Sequence, residues 1–239
     1  MGLIDNRFEE NRFYDNVAGA AIMYSHRIQF RRNAFVRNRG FSSFGILFQD
    51  SSDCLAEENT IVDNDVGIFM EALRDSVFRR NILGANDLAM QIFSSATGDT
   101  SRDNNFAVNL SPIEVIGRRT DVRWDGNYWS DYSGYDLNSD AIGDVPHRIQ
   151  NVFQHLEGNY PRLRIYLFSP AAQALAASER AFPVIERSRE FDHAPLMHPV
   201  RVPVLEADRG TPRRSSWGLA SSAALVSGSL LLAAWGARR

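Results

Sequence analysis

Oxygen donors alternate along one short stretch, Asp136-x-Asn138-x-Asp140-x-Ile142-x-Asp144, in which Ile142 would contribute its backbone carbonyl. Hard cations such as calcium take carboxylate, amide and carbonyl oxygens, and this spacing curls the donors round one point. The stretch lacks two parts of the usual calcium loop. Ala141 stands where a glycine normally makes the sharp turn, and His147 replaces the bidentate Glu at the twelfth position. Asp125 or Asp131 could complete such a shell. The same side chains can instead cap turns, because Asp and Asn accept hydrogen bonds from nearby backbone amides. From sequence, a structural calcium and a set of capped turns both stay open.

A soft transition metal asks for softer donors, Met, His or Cys. The cluster His193-x-x-x-Met197-His198 is the best candidate, with His147 and His155 as outliers. Against it stands the ordinary reading of solvated loop side chains. Met23, Met70 and Met90 recur with the repeat described below and are expected in the core. Cys54 is the single cysteine, which excludes an intrachain disulfide framework; a buried structural thiol is expected there. A third chemistry, lyase, hydrolase or epimerase action on polysaccharide, needs carboxylates gathered with Arg, His or Tyr on one face. Asp50, Asp53, Asp63, Asp65, Glu71 and Asp75 are available but form no compact signature, which favours binding over catalysis.

The elements that must position these groups are repeats. Asn11-Arg-Phe13-Tyr-Asp-Asn16, Asn33-Ala-Phe35-Val-Arg-Asn38, Asn59-Thr-Ile61-Val-Asp-Asn64, Asn81-Ile-Leu83-Gly-Ala-Asn86 and Asn104-Asn-Phe106-Ala-Val-Asn109 all read Asn-x-apolar-x-x-Asn. Their leading asparagines lie 22, 26, 22 and 23 residues apart, and an insertion at Phe41-Ser-Ser-Phe44 accounts for the long step. Such a period is too short for paired-helix repeats and suits one coil of a solenoid. Bursts such as Gly45-Ile-Leu-Phe48 and Gly67-Ile-Phe-Met70 are strand-like. The Leu-x-x-Leu-x-Leu signature of leucine-rich horseshoes is absent. The fold class expected is therefore all-β: a right-handed parallel β-helix over residues 1–120, with Asn at the corners. Coils about 4.8 Å apart would let asparagines bond in ladders. Phe13, Phe35, Ile61, Leu83 and Phe106 would stack inside.

Residues 121–165 read as a cap, since Trp124, Tyr128, Trp129 and Tyr132 could cover the open coil while the carboxylates sit in the loop beyond. Residues 166–214 read as an extended arm, with prolines at 183, 195, 199, 203 and 212 limiting regular structure. Within the uncharged run 215–237, Trp217 and Trp235 lie near the two ends, the pattern of one C-terminal transmembrane helix. A processed sorting tail is the alternative. The first repeat arrives with neither a signal peptide nor a capping coil before it, so the chain is expected to begin inside a longer array. Net charge is −3 and every basic residue is arginine, so no global field draws the chain to nucleic acid.

Gly126-Asn-Tyr-Trp-Ser-Asp-Tyr132, followed by Gly134-Tyr-Asp136 and Ile142-Gly-Asp144-x-Pro146, resembles the periplasmic NosD family. The resemblance continues into Tyr166-Leu-Phe-Ser-Pro170 and the Phe182-to-Pro199 tail, and Asn-rich coils upstream fit it too. Two departures stand out: family members are longer at the N-terminus and exported, and Ala141 replaces a usual glycine. The resemblance implies a non-enzymatic, extracytoplasmic, membrane-anchored accessory protein for the copper site of nitrous oxide reductase. It implies as partners an ABC transporter ATPase and permease, a copper chaperone and the apo reductase, with copper as cargo. The alternative is a carbohydrate-binding or polysaccharide-modifying β-helix.

Overall fold

Inward positions of each repeat carry Phe, Ile, Leu or Met and alternate with outward polar residues, the period of a strand with one buried face. The computed structural model describes residues 2–117, 120–149 and 190–204. In it the chain is an all-β parallel solenoid with three short strands per coil. The first coil has β1 (Arg7–Glu9), β2 (Arg12–Tyr14) and β3 (Ala18–Met23). The second has β4 (Gln29–Arg31), β5 (Ala34–Val36) and β6 (Phe44–Gln49). The third has β7 (Leu55–Glu57), β8 (Thr60–Val62) and β9 (Val66–Glu71). The fourth has β10 (Val77–Arg79), β11 (Ile82–Gly84) and β12 (Leu88–Phe93), and the fifth β13 (Thr97–Arg102), β14 (Asn105–Ala107) and β15 (Ser111–Ile116). A sixth, partial coil contributes β16 (Asp121–Asp125) and β17 (Tyr128–Trp129). Equivalent strands pair in parallel into sheets of six, six and five strands. The pair β18 (His147–Arg148) and β19 (Phe191–Asp192) is antiparallel.

The expected inner column is present. Phe13, Phe35, Ile61, Leu83 and Phe106 are in register, and Trp129 extends the row. Phe35, Ile61 and Leu83 are no more than 1% exposed, and each such side chain contributes roughly 1.5–3 kcal/mol by leaving water. The asparagines form two ladders. In the first, running from Asn11 to Asn127, the backbone amide and side-chain amide of one Asn both donate to Oδ1 of the next. Asn59 bonds to Asn81 in this way at 3.0 and 2.9 Å. The second ladder joins Asn16, Asn38, Asn64, Asn86 and Asn109. Side-chain amides also donate to strand carbonyls, as Asn59 does to Phe30 O at 3.0 Å.

Three details depart from expectation. The left-handed corner angle belongs to the residue before each ladder asparagine, as at Glu10, Asp15, Arg32, Arg37, Glu58 and Asp63. The Asn is thereby freed to point inward, while charged residues before it such as Glu10, Asp15 and Arg37 face solvent. The corner residues pair between coils: Arg37 with Asp15 at 3.0 Å and Arg80 with Glu58 at 3.2 Å. Second, Phe44 pairs with Val66, so the inserted loop is 40–43 and Phe44 belongs to the sheet. Third, Met70 and Met90 are buried as expected, but Met23 is 43% exposed on the outer side of β3.

Among the described residues no helix is long and apolar enough to cross a membrane. The expected span 215–237 and the whole stretch 150–189, His155 included, lie outside the described residues.

Candidate functional site

The cap aromatics singled out from the sequence meet at the sixth coil. Trp129 stacks on Phe106 with centroids 4.2 Å apart and planes at 8°, and Trp124 meets both rings. Over them lies Asp192, wholly buried. It accepts from Gly126 N at 3.1 Å, Asn127 N at 2.8 Å, Asn127 Nδ2 at 3.0 Å, Trp129 Nε1 at 3.1 Å and Ala194 N at 3.1 Å. Asp192 thus occupies the next rung of the first ladder, and a carboxylate, being acceptor-only, ends it. Glu190 is also buried; it accepts from Trp124 Nε1 at 3.2 Å, and burial pushes its carboxyl above the usual range.

From Asp192 the chain runs back across the coils. Leu196 N donates to Asn127 O, Val200 and Asn105 bond in both directions at 2.8 Å, and Arg201 O accepts from Arg80. This strap belongs to the stretch expected to be an extended arm, and its prolines leave side-chain amides such as Asn105 to supply the bonds. His193 and His198 are exposed, with Met197 between them partly buried. His193 lies on the Phe191 ring at 6.1 Å, and Met197 N donates to Ala141 O.

The alternating-oxygen loop lies beside the strap, and its oxygens are turned onto amides. Asp136 accepts from Asp140 N and Ala141 N, Asp140 from Ile142 N and Asn138 Nδ2, and Asp144 from Leu137 N at 2.6 Å. Ala141 takes a φ of 68°, so the sharp turn is made without glycine. Among the described residues no group of three or more His, Cys, Asp or Glu is arranged to hold a metal ion. These contacts are turn caps, in which Asp and Asn oxygens accept from nearby backbone amides.

Tyr132 organises the loop. Its hydroxyl donates to Val145 O at 2.7 Å, and its phenol packs so closely on Gly134 and Gly143 that a Cβ at either would overlap it. The two glycines of the Gly-Tyr-Asp and Ile-Gly-Asp motifs are thus sites of close approach. Buried His147 sits against the rings of Trp129 and Tyr132 at 5.1 and 5.6 Å. Its Nε2 lies 3.6 Å from Asp131 Oδ1 and makes no hydrogen bond. Burial holds its pKa below the usual value, against the pull of Asp131 and Asp192.

The remaining candidates are dispersed. Asp50, Asp53, Asp63 and Asp75 take left-handed corner positions. Arg39 gathers Asp63, Asp65 and Asp87 at 2.7, 2.8 and 3.4 Å, and Glu71 accepts from Gln49 at 2.6 Å. Cys54 is 3% exposed and burial pushes its thiol pKa up, as a structural thiol requires. The outer side of the third sheet carries an aromatic row, Phe44–Phe69–Phe93, with centroids 4.9 and 5.2 Å apart.

In the sequence, Asp192 stands only as part of the Phe182-to-Pro199 tail, and Glu190 carries no signal of its own. One signal was available for Asp192. A ladder whose last Asn donates two hydrogens needs an acceptor beyond it.

Comparison with known proteins bears on these coils and on the motif that follows them. Two proteins named probable ABC transporter binding protein NosD are similar. The one from Stutzerimonas stutzeri is 30% identical over 125 residues, which is 51% of this chain and 29% of that protein. The one from Pseudomonas aeruginosa is 34% identical over 126 residues, 50% of this chain and 28% of that protein. The chain therefore spans under a third of the length of these curated relatives. The sequence model of the family described as periplasmic copper-binding protein (NosD) matches residues 1–134, from the first coil through Trp129 to Gly134. With more than half of its residues under that model, the chain belongs to the NosD family.

Proposed function

We propose that this chain is a non-enzymatic, extracytoplasmic accessory protein for assembling the copper site of nitrous oxide reductase. The observation that carries this reading is the family match, which runs through the coils and into the Tyr128–Tyr132 motif. The relatives' name, probable ABC transporter binding protein, supports an ABC transporter ATPase and permease as partners. A copper chaperone and the apo reductase complete the set. Two bonded ladders make a stiff scaffold of the kind that suits docking more than one protein. We further propose a right-handed winding, the hand that parallel crossovers take, closure of the stack by residues 121–149 with the strap, and anchoring by residues 215–237.

Copper is cargo in this account. His193, Met197 and His198 are the residues of this chain suited to touch it, as the softer donors gathered on the strap. The assignment is tested by isolating the tagged chain from detergent-solubilised membranes of denitrifying cells, identifying the bound subunits and measuring copper in the eluate. Recovery of the transporter with copper supports the role. Clean recovery of the chain with neither contradicts it.

A second reading, carbohydrate binding, is favoured by the outward row Phe44–Phe69–Phe93, since aromatic faces are adhesive toward apolar ligand surfaces. Gln49–Glu71 and Gln91–Glu114 pairs on the same sheet add hydrogen-bonding groups. Retention on immobilised uronate polymers, lost on replacing Phe69 with Ser, would distinguish it.

A further inference from the structure

The fifth coil departs from its neighbours at one point. Between Thr97 and Thr100 the pairing of β13 with β16 shifts register, and Gly98 takes a φ of +71°. The bulge turns Asp99 into the interior, where it is 1% exposed. By register it continues an inward column formed by Ile28, Cys54 and Ser76 below and Val122 above. One oxygen accepts from Ser76 N at 2.9 Å. The other, Oδ2, is buried without a hydrogen-bond partner.

The charges around it share its sign. Asp75 from the coil below lies against the Gly98 backbone, and Asp121 from the coil above accepts from Gly98 N at 3.2 Å. Cys54, two coils below, is a neutral thiol whose pKa burial raises. Among the described residues no arginine acts on Asp99. Other corners alternate sign, as at Asp5–Arg27, Asp15–Arg37 and Glu58–Arg80. A buried carboxylate with one bare oxygen between like charges is far costlier than the neutral acid.

We propose that the seam between the fifth and sixth coils is a proton-dependent latch, closed while Asp99 holds its carboxylic proton and loosened when the proton leaves. Glu190 is a second carboxyl on the other side of β16, held by the Trp124 indole. The titratable neighbours on β18 and β19 are His147, Arg148 and Asp192. Arg148 is drawn over the Phe191 ring at 5.6 Å, and Asp192 is occupied by its donors at the ladder's end. Glu190 therefore reinforces the same response.

The sign is fixed by burial. Burial first, opposed by the Ser76 amide and then aided by Asp75 and Asp121, pushes Asp99 up to about 7. Glu190 is raised by burial, against its bonds to Trp124 and to the Thr120 backbone. An acid raised in the folded state binds more protons folded than unfolded. Its contribution is greatest below the ordinary carboxylate range and falls as pH rises toward and through neutrality. The strap that carries His193, Met197 and His198 rests on this seam, so alkalinity would release it first. The inference stands on Asp99 and its neighbours and does not depend on the copper role.

The test compares melting of the full chain from pH 5.5 to 8.5 with the variants Asp99→Asn and Asp99→Ser, the second matching Ser76 in the same column. Amide exchange at Ser76 and at residues 121–129, corrected for the intrinsic effect of pH, reports the seam itself. The expected result is a fall in melting temperature of roughly 5 °C or more across that range. Faster exchange at the seam should accompany it, and either variant should reduce both changes by at least half. Parallel pH profiles for the native chain and a folded variant would overturn the latch. So would rescue at pH 8.5 by millimolar calcium in the native chain but not in the variants, which would make the cluster a cation site instead.

Discussion

Asp192 accepts from Asn127 at 2.8 and 3.0 Å, the same two-donor contact that Asn127 receives from Asn104 at 3.1 and 3.0 Å. A residue from a distant part of the chain thus finishes a ladder begun at Asn11. With its other donors it collects five hydrogen bonds. Replacing Asp192 with Ala would strand buried donors at Gly126, Asn127 and Trp129, each costing about 1–3 kcal/mol. Amide exchange at residues 126–129 and 190–200 should rise by an order of magnitude or more, while coils two to four keep their protection. Unchanged exchange at Asn127 would show that the ladder ends without it.

Interior rungs should matter more than the first. Asn81→Ala removes the acceptor for Asn59 N and Nδ2 and the donor to Asn104 and Ala56 O. A loss of roughly 3 kcal/mol or more is expected in a urea melt. Asn11 is exposed and lies at the first coil, so Asn11→Ala should cost less than about 1 kcal/mol. Equal losses would mean that the ladders add nothing beyond backbone pairing.

The glycines around Tyr132 give a steric prediction. Gly143→Ala puts a methyl into the phenol and should cost about 1–3 kcal/mol. Trimming the ring in Tyr132→Ala should lessen the penalty of Gly143→Ala, which a double-mutant cycle would register as coupling. Additive losses would place the strain elsewhere.

For the oxygen loop the expected outcome is indifference to chelation. Its carboxylates already accept from amides of Leu137, Asp140, Ala141 and Ile142. Melting of the chain at pH 6.5 in calcium and in EDTA should agree within a degree or two. A rise of many degrees with calcium, lost in Asp140→Ala, would return the loop to the cation-binding reading.

Much of this architecture was legible because the repeat carries it redundantly. The Asn-x-apolar-x-x-Asn phrase encodes inner column, corner and ladder together, and the column from Phe13 to Phe106 stands in the expected register. Asn at a corner suggests a left-handed backbone at that residue, but the stack uses its inward amide and the αL angle falls on the residue before it. Met23 falls in the period of Met70 and Met90 but lies one residue off the inward phase, at an outer position of β3. Non-local closure was hidden for a different reason. Asp192 is separated from Asn127 by 65 positions, and no local pattern announces a contact of that range. Asp99 was missed because it sits inside a bulge, where the inward–outward alternation slips.

The copper content of nitrous oxide reductase tests the central claim most directly. The reductase would be purified from cells lacking their own NosD, with and without this chain supplied in the periplasm. Its copper per polypeptide would be measured alongside a check that the chain is present and folded. The account predicts several-fold more copper when the chain is supplied, with loss of that gain when Asn81→Ala and Asp192→Ala disrupt the scaffold. A reductase equally poor in copper with the folded chain present would contradict it.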